Sequence, residues 1–331
     1  MFKNIFLGLF AFSTSLFSVQ CYESAPDCKD EFFSTGCRYI ADLEFLYWTA
    51  EVNAVDYALH TTQPFDTDCA VGDFKEADYS YDPGFRLGLR YRNGPRYWEI
   101  AGYYTWLKTS GTDSVEDRVN FVTPTYSDNL AAPVIRATSD IELWYNVLDV
   151  QAARVFDPNP HLRMRVYGGI TGAWIEQNWK VSYTDQADFV SNLDQKWTYR
   201  AVGYLVGTSF DWFWWCDFYL TGRASAGVTV GKYENLAKQT STWNVNPSQA
   251  FRDSRYEDYR LATRLQMLLG FSWQKLCQCV DYEIFAGYEF NAWNNLNEIF
   301  RCQNEENISK TLINNGLLGL HGLNVRLTLS Y

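Results

Sequence analysis

The last ten residues of the chain alternate strictly between two kinds of side chain. Leu323, Val325, Leu327, Leu329 and the terminal Tyr331 are separated by Gly322, Asn324, Arg326, Thr328 and Ser330. A period of two predicts a strand with one apolar face and one polar face. Such a strand, ending on an aromatic residue, is typical of the closing strand of an outer-membrane barrel, where one face meets lipid and the other the lumen. The C-terminal segment therefore predicts a transmembrane β-barrel.

The N-terminus carries the features of an export signal. Lys3 precedes an apolar stretch at 5–17 that is too short to span a membrane as a helix. We expect residues 1–21 to be a signal peptide, 22–37 a periplasmic segment and 38–331 the barrel. Gln20 stands before Cys21, where a lipidation signal requires a small residue, so lipidation is not favoured. The predicted location is the bacterial outer membrane.

Composition agrees with a barrel but leaves an alternative open. Aromatic residues make up 18% of the chain, and no run of about 18 apolar residues follows residue 20, so we expect no transmembrane helix. A secreted β-sandwich also alternates in this way and can be rich in tryptophan. The net charge of −11 argues against nucleic-acid binding, which requires a basic surface.

Ten alternating segments recur along the chain and favour the barrel over the sandwich. Long gaps of roughly 20–35 residues alternate with turns of roughly 4–7, as in barrels with long outer loops and short periplasmic turns. We predict an all-β, antiparallel up-and-down transmembrane barrel of about ten strands, with eight or twelve as alternatives. The predicted strands lie at about 38–50, 83–92, 97–108, 140–154, 162–175, 197–210, 216–230, 261–273, 280–290 and 319–331.

The fourth segment departs from simple alternation. Ile141, Leu143, Tyr145 and Val147 share one parity, whereas Leu148, Val150 and Ala152 share the other. A β-bulge near 147–148 would reverse the facing of the strand. We therefore predict a bulge there.

The tryptophans cluster near the predicted strand ends. Two aromatic belts at the membrane interfaces are typical of barrels. The outer set is Trp48, Trp106, Trp144, Trp174, Trp179, Trp197 and Trp293, and the inner set is Trp98, Trp212, Trp214, Trp215 and Trp273.

Charged residues on the predicted polar faces are the candidate functional set. Pairing across a turn at 93–96 places Arg90 opposite Glu99, and the bulge turns Asp149 towards Arg163 and Arg165. These charges could set the selectivity of a pore, or they could pair and plug a narrow lumen. An oligomeric or wider pore is a third alternative. The candidate lumen-lining residues are Arg86, Arg90, Glu99, Asp149, Arg163, Arg165, Asp217, Arg223, Arg264, Glu283, Glu289 and Arg326.

The cysteines suggest cross-linking. Cys69 and Cys302 fall in outer loops beside the first and last strands, which must be neighbours in a closed barrel, so we predict a disulfide between them. An oxidising compartment allows such a bond. Periplasmic thiols could also link the protein to other envelope proteins; they are Cys28, Cys37, Cys216, Cys277 and Cys279.

The remaining polar features give little support to metal binding or catalysis. Eight acidic residues and one lysine lie at 51–82. Such a loop could hold a divalent cation or bridge lipopolysaccharide, but solvation is the simpler interpretation, and we predict no metal or cofactor. Of the three histidines, His60 and His321 lie towards the outer mouth and His161 at a periplasmic turn. None belongs to a catalytic motif, so we do not expect an enzyme.

Five segments, in order along the chain, carry a family resemblance. They are Ala41–Glu51 (ADLEFLYWTAE), Tyr81–Gly88 (YDPGFRLG), Tyr103–Leu107 (YYTWL), Trp144–Asp149 (WYNVLD) and Gly172–Gln177 (GAWIEQ). Together they resemble the pore-forming, major-outer-membrane-protein-like family of Legionella and the Chlamydiae, over roughly 38–331. The resemblance implies a porin-like outer-membrane barrel of a Gram-negative bacterium. It supplies no catalytic or binding residues.

These observations lead to one expected function and two alternatives. We expect porin-like passage of small solutes or ions together with a structural role in the envelope. The expected partners are outer-membrane lipid, lipopolysaccharide, disulfide-linked envelope proteins and the solutes themselves. The alternatives are a surface-exposed structural or adhesive barrel with a plugged lumen, and a barrel enzyme.

Overall fold

The computed structural model describes most of the chain after residue 37, as thirteen β-strands. The described residues are 38–53, 55–61, 72–93, 97–119, 122–126, 130, 132–159, 161–215, 217–243, 250–275, 280–297 and 316–331. No helix within these ranges is long and apolar enough to cross a membrane. The strands are β1 (Arg38–Val52), β2 (Asp56–Thr61), β3 (Gly72–Glu76), β4 (Asp82–Asn93), β5 (Trp98–Glu116), β6 (Val122–Pro124), β7 (Val134–Asn159), β8 (Leu162–Asp185), β9 (Val190–Trp215), β10 (Phe218–Ser241), β11 (Ala250–Lys275), β12 (Asp281–Asn294) and β13 (Leu318–Ser330).

Ten of these strands close into one antiparallel barrel. The order around it is β1-β13-β12-β11-β10-β9-β8-β7-β5-β4, with β4 paired to β1. The C-terminal strand closes the ring, because Leu327 lies opposite Leu43 and Val325 opposite Phe45. The predicted ten-stranded, up-and-down barrel is confirmed. Both described chain ends lie at the end of the barrel where β4 is followed by β5, β7 by β8, β9 by β10 and β11 by β12, which is the periplasmic end of such proteins.

The strands differ in length around the ring. β7 to β11 have 24–26 residues, whereas β1, β4, β12 and β13 have 12–15. About 9–11 residues suffice to cross the bilayer core. The long strands therefore continue beyond the membrane as an outer wall on one side, formed by residues 108–116, 134–144, 176–185, 190–200, 232–241 and 250–257.

Sequence alternation underestimated this outer wall. Residues 176–196 were expected to form a loop, but β8 and β9 continue to a short turn at 186–189. Outside the membrane the outward face is polar, with residues such as Glu176 and Lys196. The sequence pattern therefore lacks the apolar outward residues that mark lipid-facing positions, although the pairing of the strands continues.

β2, β3 and β6 form a small separate sheet, in the order β3-β2-β6, that packs against the inside of the outer wall. Tyr183 of β8 donates a hydrogen bond to the carbonyl oxygen of Tyr57 at 2.6 Å, and the Tyr57 hydroxyl donates to Asp113 at 3.0 Å. Gly111 allows the approach of the neighbouring loop, since a Cβ there would lie 1.7 Å from the carbonyl oxygen of Asp78. The small sheet thus closes the barrel at its outer end, and we call it the cap.

The predicted bulge near 147–148 is wrong. β7 and β8 pair without a register shift from Arg136 to Phe156. Val147 is fully buried in the barrel, whereas Leu148 faces outwards. Both parities are apolar here because the outer half of the lumen is filled with apolar side chains, so the strand has apolar residues on both faces.

Four of the predicted girdle tryptophans lie inside the barrel. Trp48, Trp179, Trp197 and Trp293 are at most 1% exposed. Among the other outer tryptophans, Trp144 and Trp174 face outwards, as do Trp98, Trp212 and Trp214 at the inner end. Trp179 and Trp197 also lie in the outer wall rather than at the membrane interface. Whether a tryptophan faces lipid or lumen depends on a shift of one residue along the strand.

Candidate functional site

The lumen has two parts of opposite chemistry. Its periplasmic half is charged, and its outer half contains an apolar layer. The members of this layer come from β1, β5, β7 and β12, and each is fully buried: Leu46, Trp48, Leu107, Tyr145 and Trp293. Directly below the layer begins the ion-pair network.

Arg86 of β4 is at the centre of the upper part of the network. Its guanidinium donates to Glu44 at 2.6 Å, to Glu289 at 2.8 Å and to the hydroxyl of Thr105 at 2.8 Å. Asn324 of β13 donates to both carboxylates, at 2.8 and 2.6 Å. Every partner comes from a different strand, so the cluster ties together β1, β4, β5, β12 and β13 across the lumen.

A second pair joins this cluster to the apolar layer. Arg264 of β11 donates to Asp149 of β7 at 3.1 Å and to Asn291 at 3.3 Å. Asn291 in turn donates to the hydroxyl of Tyr145 at 2.9 Å, and the indole of Trp293 donates to the same oxygen at 3.3 Å. The polar atoms of the apolar layer are thus linked by hydrogen bonds to the charged half of the lumen below it.

Glu99 of β5 is the centre of the lower part of the network. It accepts from Arg92 at 2.9 Å and from Arg165 at 2.8 Å. Arg90 lies beside it but binds Asp42, with 2.7 Å between Nε and Oδ2. The guanidinium of Arg165 lies 4.7 Å above the ring of Tyr167.

The predicted pairing of Arg90 opposite Glu99 is wrong by two residues. Arg92 lies opposite Glu99, and Arg90 lies opposite Ala101. The chain reverses one residue later than expected, with Tyr97 in the left-handed conformation at a φ of 55°. The predicted approach of Asp149 to Arg163 and Arg165 is also wrong, because Asp149 lies opposite Thr171 and contacts Arg264.

The other predicted residues differ in position. Arg326 donates to Glu283 at 2.8 Å, and Arg163 donates to Asp157 at 2.9 Å. Arg223 lies 3.9 Å from Glu44 and over the ring of Tyr103. Asp217 does not line the lumen: it is exposed in the turn between β9 and β10, with a φ of 68°. Asp and Asn tolerate this conformation better than most residues, which explains its position.

Several members of this network do not belong to the candidate set. Asp42 and Glu44 occupy the polar face of β1 and are the carboxylates that Arg90 and Arg86 bind. The alternation of β1 itself could have identified them. Asn324 belongs to the polar face of the last strand, but it and Gln266 have no charge, and only their position across the lumen brings them to Glu289.

The histidines lie apart from one another, and His321 contacts both Glu51 and the hydroxyl of Tyr288. His60 of β2 lies 2.9 Å from Asp117, and His321 lies 3.1 Å from Glu51. His161 packs beside Phe213 at a periplasmic turn. Among the described residues no group of three or more His, Cys, Asp or Glu side chains is arranged to hold a metal ion. All eight cysteines, including the proposed pair Cys69 and Cys302, lie outside the described residues.

Solved structures with similar folds are outer-membrane barrels at very low identity. The outer membrane protease OmpT from Escherichia coli is 9% identical, with 89% of this chain and 96% of that chain covered and a TM-score of 0.41. A Pseudomonas aeruginosa FadL homologue is 8% identical, with 89% and 90% covered and a TM-score of 0.27. The TodX deltaS2S3 mutant, a monoaromatic hydrocarbon channel, is 5% identical, with 90% and 91% covered and a TM-score of 0.27. These similarities carry no functional argument.

The sequence comparison is decisive for the family. No curated protein matches this chain. The family model described as Legionella pneumophila major outer membrane protein precursor matches residues 37–330, which includes every strand of the barrel. With its alternating belt and closed ring of strands, the chain is a β-barrel of the bacterial outer membrane, and it belongs to the Legionella major outer membrane protein family.

Proposed function

We propose that the protein is a structural and surface-exposed barrel of the outer membrane whose lumen is closed in its resting state. One observation carries this proposal: the side chains at the centre of the lumen are inaccessible to water. Arg86, Glu44 and Glu289 have side-chain exposures of 3%, 1% and 0%, and Trp48 and Trp293 are fully buried. A water-filled passage would leave such groups exposed.

Two barriers of different kinds oppose an ion in this lumen. An ion would have to separate buried ion pairs. Each separated charge would then lack the partner that offsets its loss of solvation, which costs several kcal/mol per charge. It would then have to cross the apolar layer, where no charged group replaces its hydration shell. The small bore supports this proposal, since ten strands make a barrel only slightly wider than those that side chains fill.

A second candidate function is porin-like passage of small ions or solutes. The polar character of the inner half favours it. Glu44 Oε1, Asn324 Oδ1 and Arg326 Nε are buried without a hydrogen-bond partner among the described residues, and such atoms are natural sites for water. Passage would require the apolar layer to move aside, so this function needs a second conformation.

Single-channel recording in planar bilayers distinguishes the two functions. We expect refolded wild-type protein to be electrically silent and Trp48→Ala/Trp293→Ala to conduct, since the change removes two large side chains from the apolar layer. Trp144→Ala/Trp174→Ala is the matched control, because both of its tryptophans face outwards. Folding of every protein is checked by the mobility of unheated samples in gel electrophoresis.

Each result decides one point. Steady conductance of the wild-type protein would contradict the closed lumen and support the porin-like function. A folded but silent Trp48→Ala/Trp293→Ala variant would show that the apolar layer is not the barrier. If only the control Trp144→Ala/Trp174→Ala conducts, the assignment of tryptophans to the lumen and to the lipid face is refuted.

The structural role includes cross-linking through the cysteines. We propose the disulfide between Cys69 and Cys302 and links from periplasmic thiols to other envelope proteins, together with export through residues 1–21. In an oxidising envelope, mass spectrometry of unreduced digests should contain the Cys69–Cys302 peptide pair. Labelling of both thiols by a maleimide without prior reduction would refute the pair.

A further inference from the structure

Arg200 is an exposed cation at the outer edge of the lipid-facing belt. On β9 the outward positions Val202, Tyr204 and Val206 are exposed and apolar or aromatic, and Arg200 is the next outward residue. The same transition occurs on β10, where Val228 and Val230 are followed by Lys232. β9 runs from Val190 at the outer end of the barrel to Trp215 at the periplasmic end. Arg200 is therefore on the outer side of the belt, in the outer leaflet.

The register places two cations side by side between two aromatic residues. Arg200 pairs directly with Lys232 on one side and with Trp174 on the other. Lys232 pairs with Tyr259 of β11, whose side chain is 78% exposed. Side chains that pair across strands on one face have Cβ atoms about 5 Å apart. The row Trp174–Arg200–Lys232–Tyr259 thus runs along the belt edge, and we call it the belt-edge row.

Most other outward cations of the outer wall have a carboxylate partner. Lys108 binds Glu142, and Lys196 binds Glu176. Lys232 itself lies 3.1 Å from Glu257, and it also binds Glu234. Arg200 has no ion-pair partner among the described residues. Its guanidinium is therefore available to an anion from outside the protein.

We infer that the belt-edge row binds a phosphate group of the glycolipid of the outer leaflet, a phosphorylated glucosamine lipid of the lipid A class. A guanidinium can bind two oxygens of a phosphate at once, and the Lys232 ammonium, which has three N–H donors and two carboxylate partners, has one donor left for a third oxygen. Such a lipid carries its phosphates at the boundary between acyl chains and sugars. The row offers cations at that boundary, Val202 and Val230 below for acyl chains, and aromatic faces at both ends.

The outer wall above the row fits the rest of such a lipid. Its outward face is polar, with Asn178, Lys180 and Asn192 on β8 and β9. β8 continues for about 36 Å of strand beyond Trp174, to Asp185, at roughly 3.3 Å per residue. Sugars attached to the phosphorylated glucosamines would therefore lie along protein rather than in open water. An anionic phospholipid has a phosphate but no sugars to occupy this face.

Binding of fluorescent lipid A to refolded protein in detergent micelles tests the inference. The test variant is Arg200→Gln/Lys232→Gln. The matched control is Arg136→Gln/Lys238→Gln, which removes two exposed outward cations of the same wall farther from the belt. Gel mobility of unheated samples checks the folding of each protein. We expect the test variant to raise the Kd for bisphosphorylated lipid A at least about tenfold, because it removes charge-assisted hydrogen bonds.

Two ligand controls identify the chemical source of the phosphate. Lipid A stripped of its phosphates should bind wild type and test variant equally weakly. Phosphatidylglycerol should bind more weakly than lipid A. The inference is overturned if the test variant binds lipid A like wild type, if the control loses as much affinity, or if phosphate-free lipid A still distinguishes wild type from variant. Equal binding of phosphatidylglycerol with the same dependence on Arg200 would assign the row to phospholipid.

Discussion

Removal of the Arg86 guanidinium is the most direct perturbation of the closed lumen. Arg86→Met leaves an apolar side chain of similar length between Glu44 and Glu289. These carboxylates are 1% and 0% exposed and would keep only amide donors from Asn324 and Gln266. The next cation, Arg223, is 3.9 Å from Glu44.

The expected cost follows from this burial. Removing one partner of a buried ion pair lowers the free energy of unfolding by about 3–5 kcal/mol, because the remaining charge is left without compensation. Replacing the carboxylates as well, in Arg86→Met/Glu44→Gln/Glu289→Gln, removes the uncompensated charge. Neutral replacement of a whole buried ionic cluster is often without net cost. We therefore expect the triple variant to be more stable than Arg86→Met alone.

Urea titration in detergent micelles, followed by tryptophan fluorescence, measures these differences. Lys196→Met is the control, since Lys196 pairs with Glu176 but its side chain is 44% exposed; we expect a change below about 1 kcal/mol. The reasoning is refuted if Arg86→Met costs no more than Lys196→Met, which would mean that water reaches the cluster. It is also refuted if the triple variant is no more stable than the single one.

Three further perturbations test the cap and the belt. Gly111→Ala should expose the cap to limited proteolysis, because its Cβ would lie 1.7 Å from the carbonyl oxygen of Asp78; an unchanged cleavage pattern would contradict this close approach. Leu327→Arg should lower the free energy of unfolding in lipid vesicles by about 2–4 kcal/mol, as for a charge on the lipid face, and a neutral effect would mean that Leu327 does not face lipid. Tyr183→Phe should cost about 1 kcal/mol, because it removes the 2.6 Å bond to the Tyr57 carbonyl and leaves only the longer bond from the Thr125 N–H at 3.4 Å; amide exchange in the small sheet should become faster, and unchanged exchange there would show that the cap does not depend on this bond.

The charged lumen could be predicted as a class of residues but not as a set of contacts. Alternation identified Arg86, Glu99 and Arg264 as polar-face residues, and the structure places all three inside the barrel. Their partners depend on register and on distance across the lumen. Arg264 and Asp149 are 115 positions apart in the chain, and no local pattern relates two residues at that separation.

Errors in predicting whether a side chain faces lipid or the lumen have the same physical origin. In a strand a shift of one residue moves a side chain from lipid to lumen. Trp48 and Trp174 occupy the same height in the predicted pattern, yet the first is buried in the lumen and the second is exposed. Hydrophobicity cannot separate these positions, because the apolar layer and the lipid belt select the same residue types.

The amino-acid sequence determined the membrane barrel, and it predicted about ten strands, with eight and twelve as alternatives, and the end at which the short connections lie. These properties follow from local alternation and from the spacing of turns, which each short segment carries by itself. The closed lumen, the cap formed by β2, β3 and β6, and the outer wall were decided only by the tertiary structure. Each of them depends on side chains from distant strands meeting around one axis, and the free energy of those contacts is not written in any single segment.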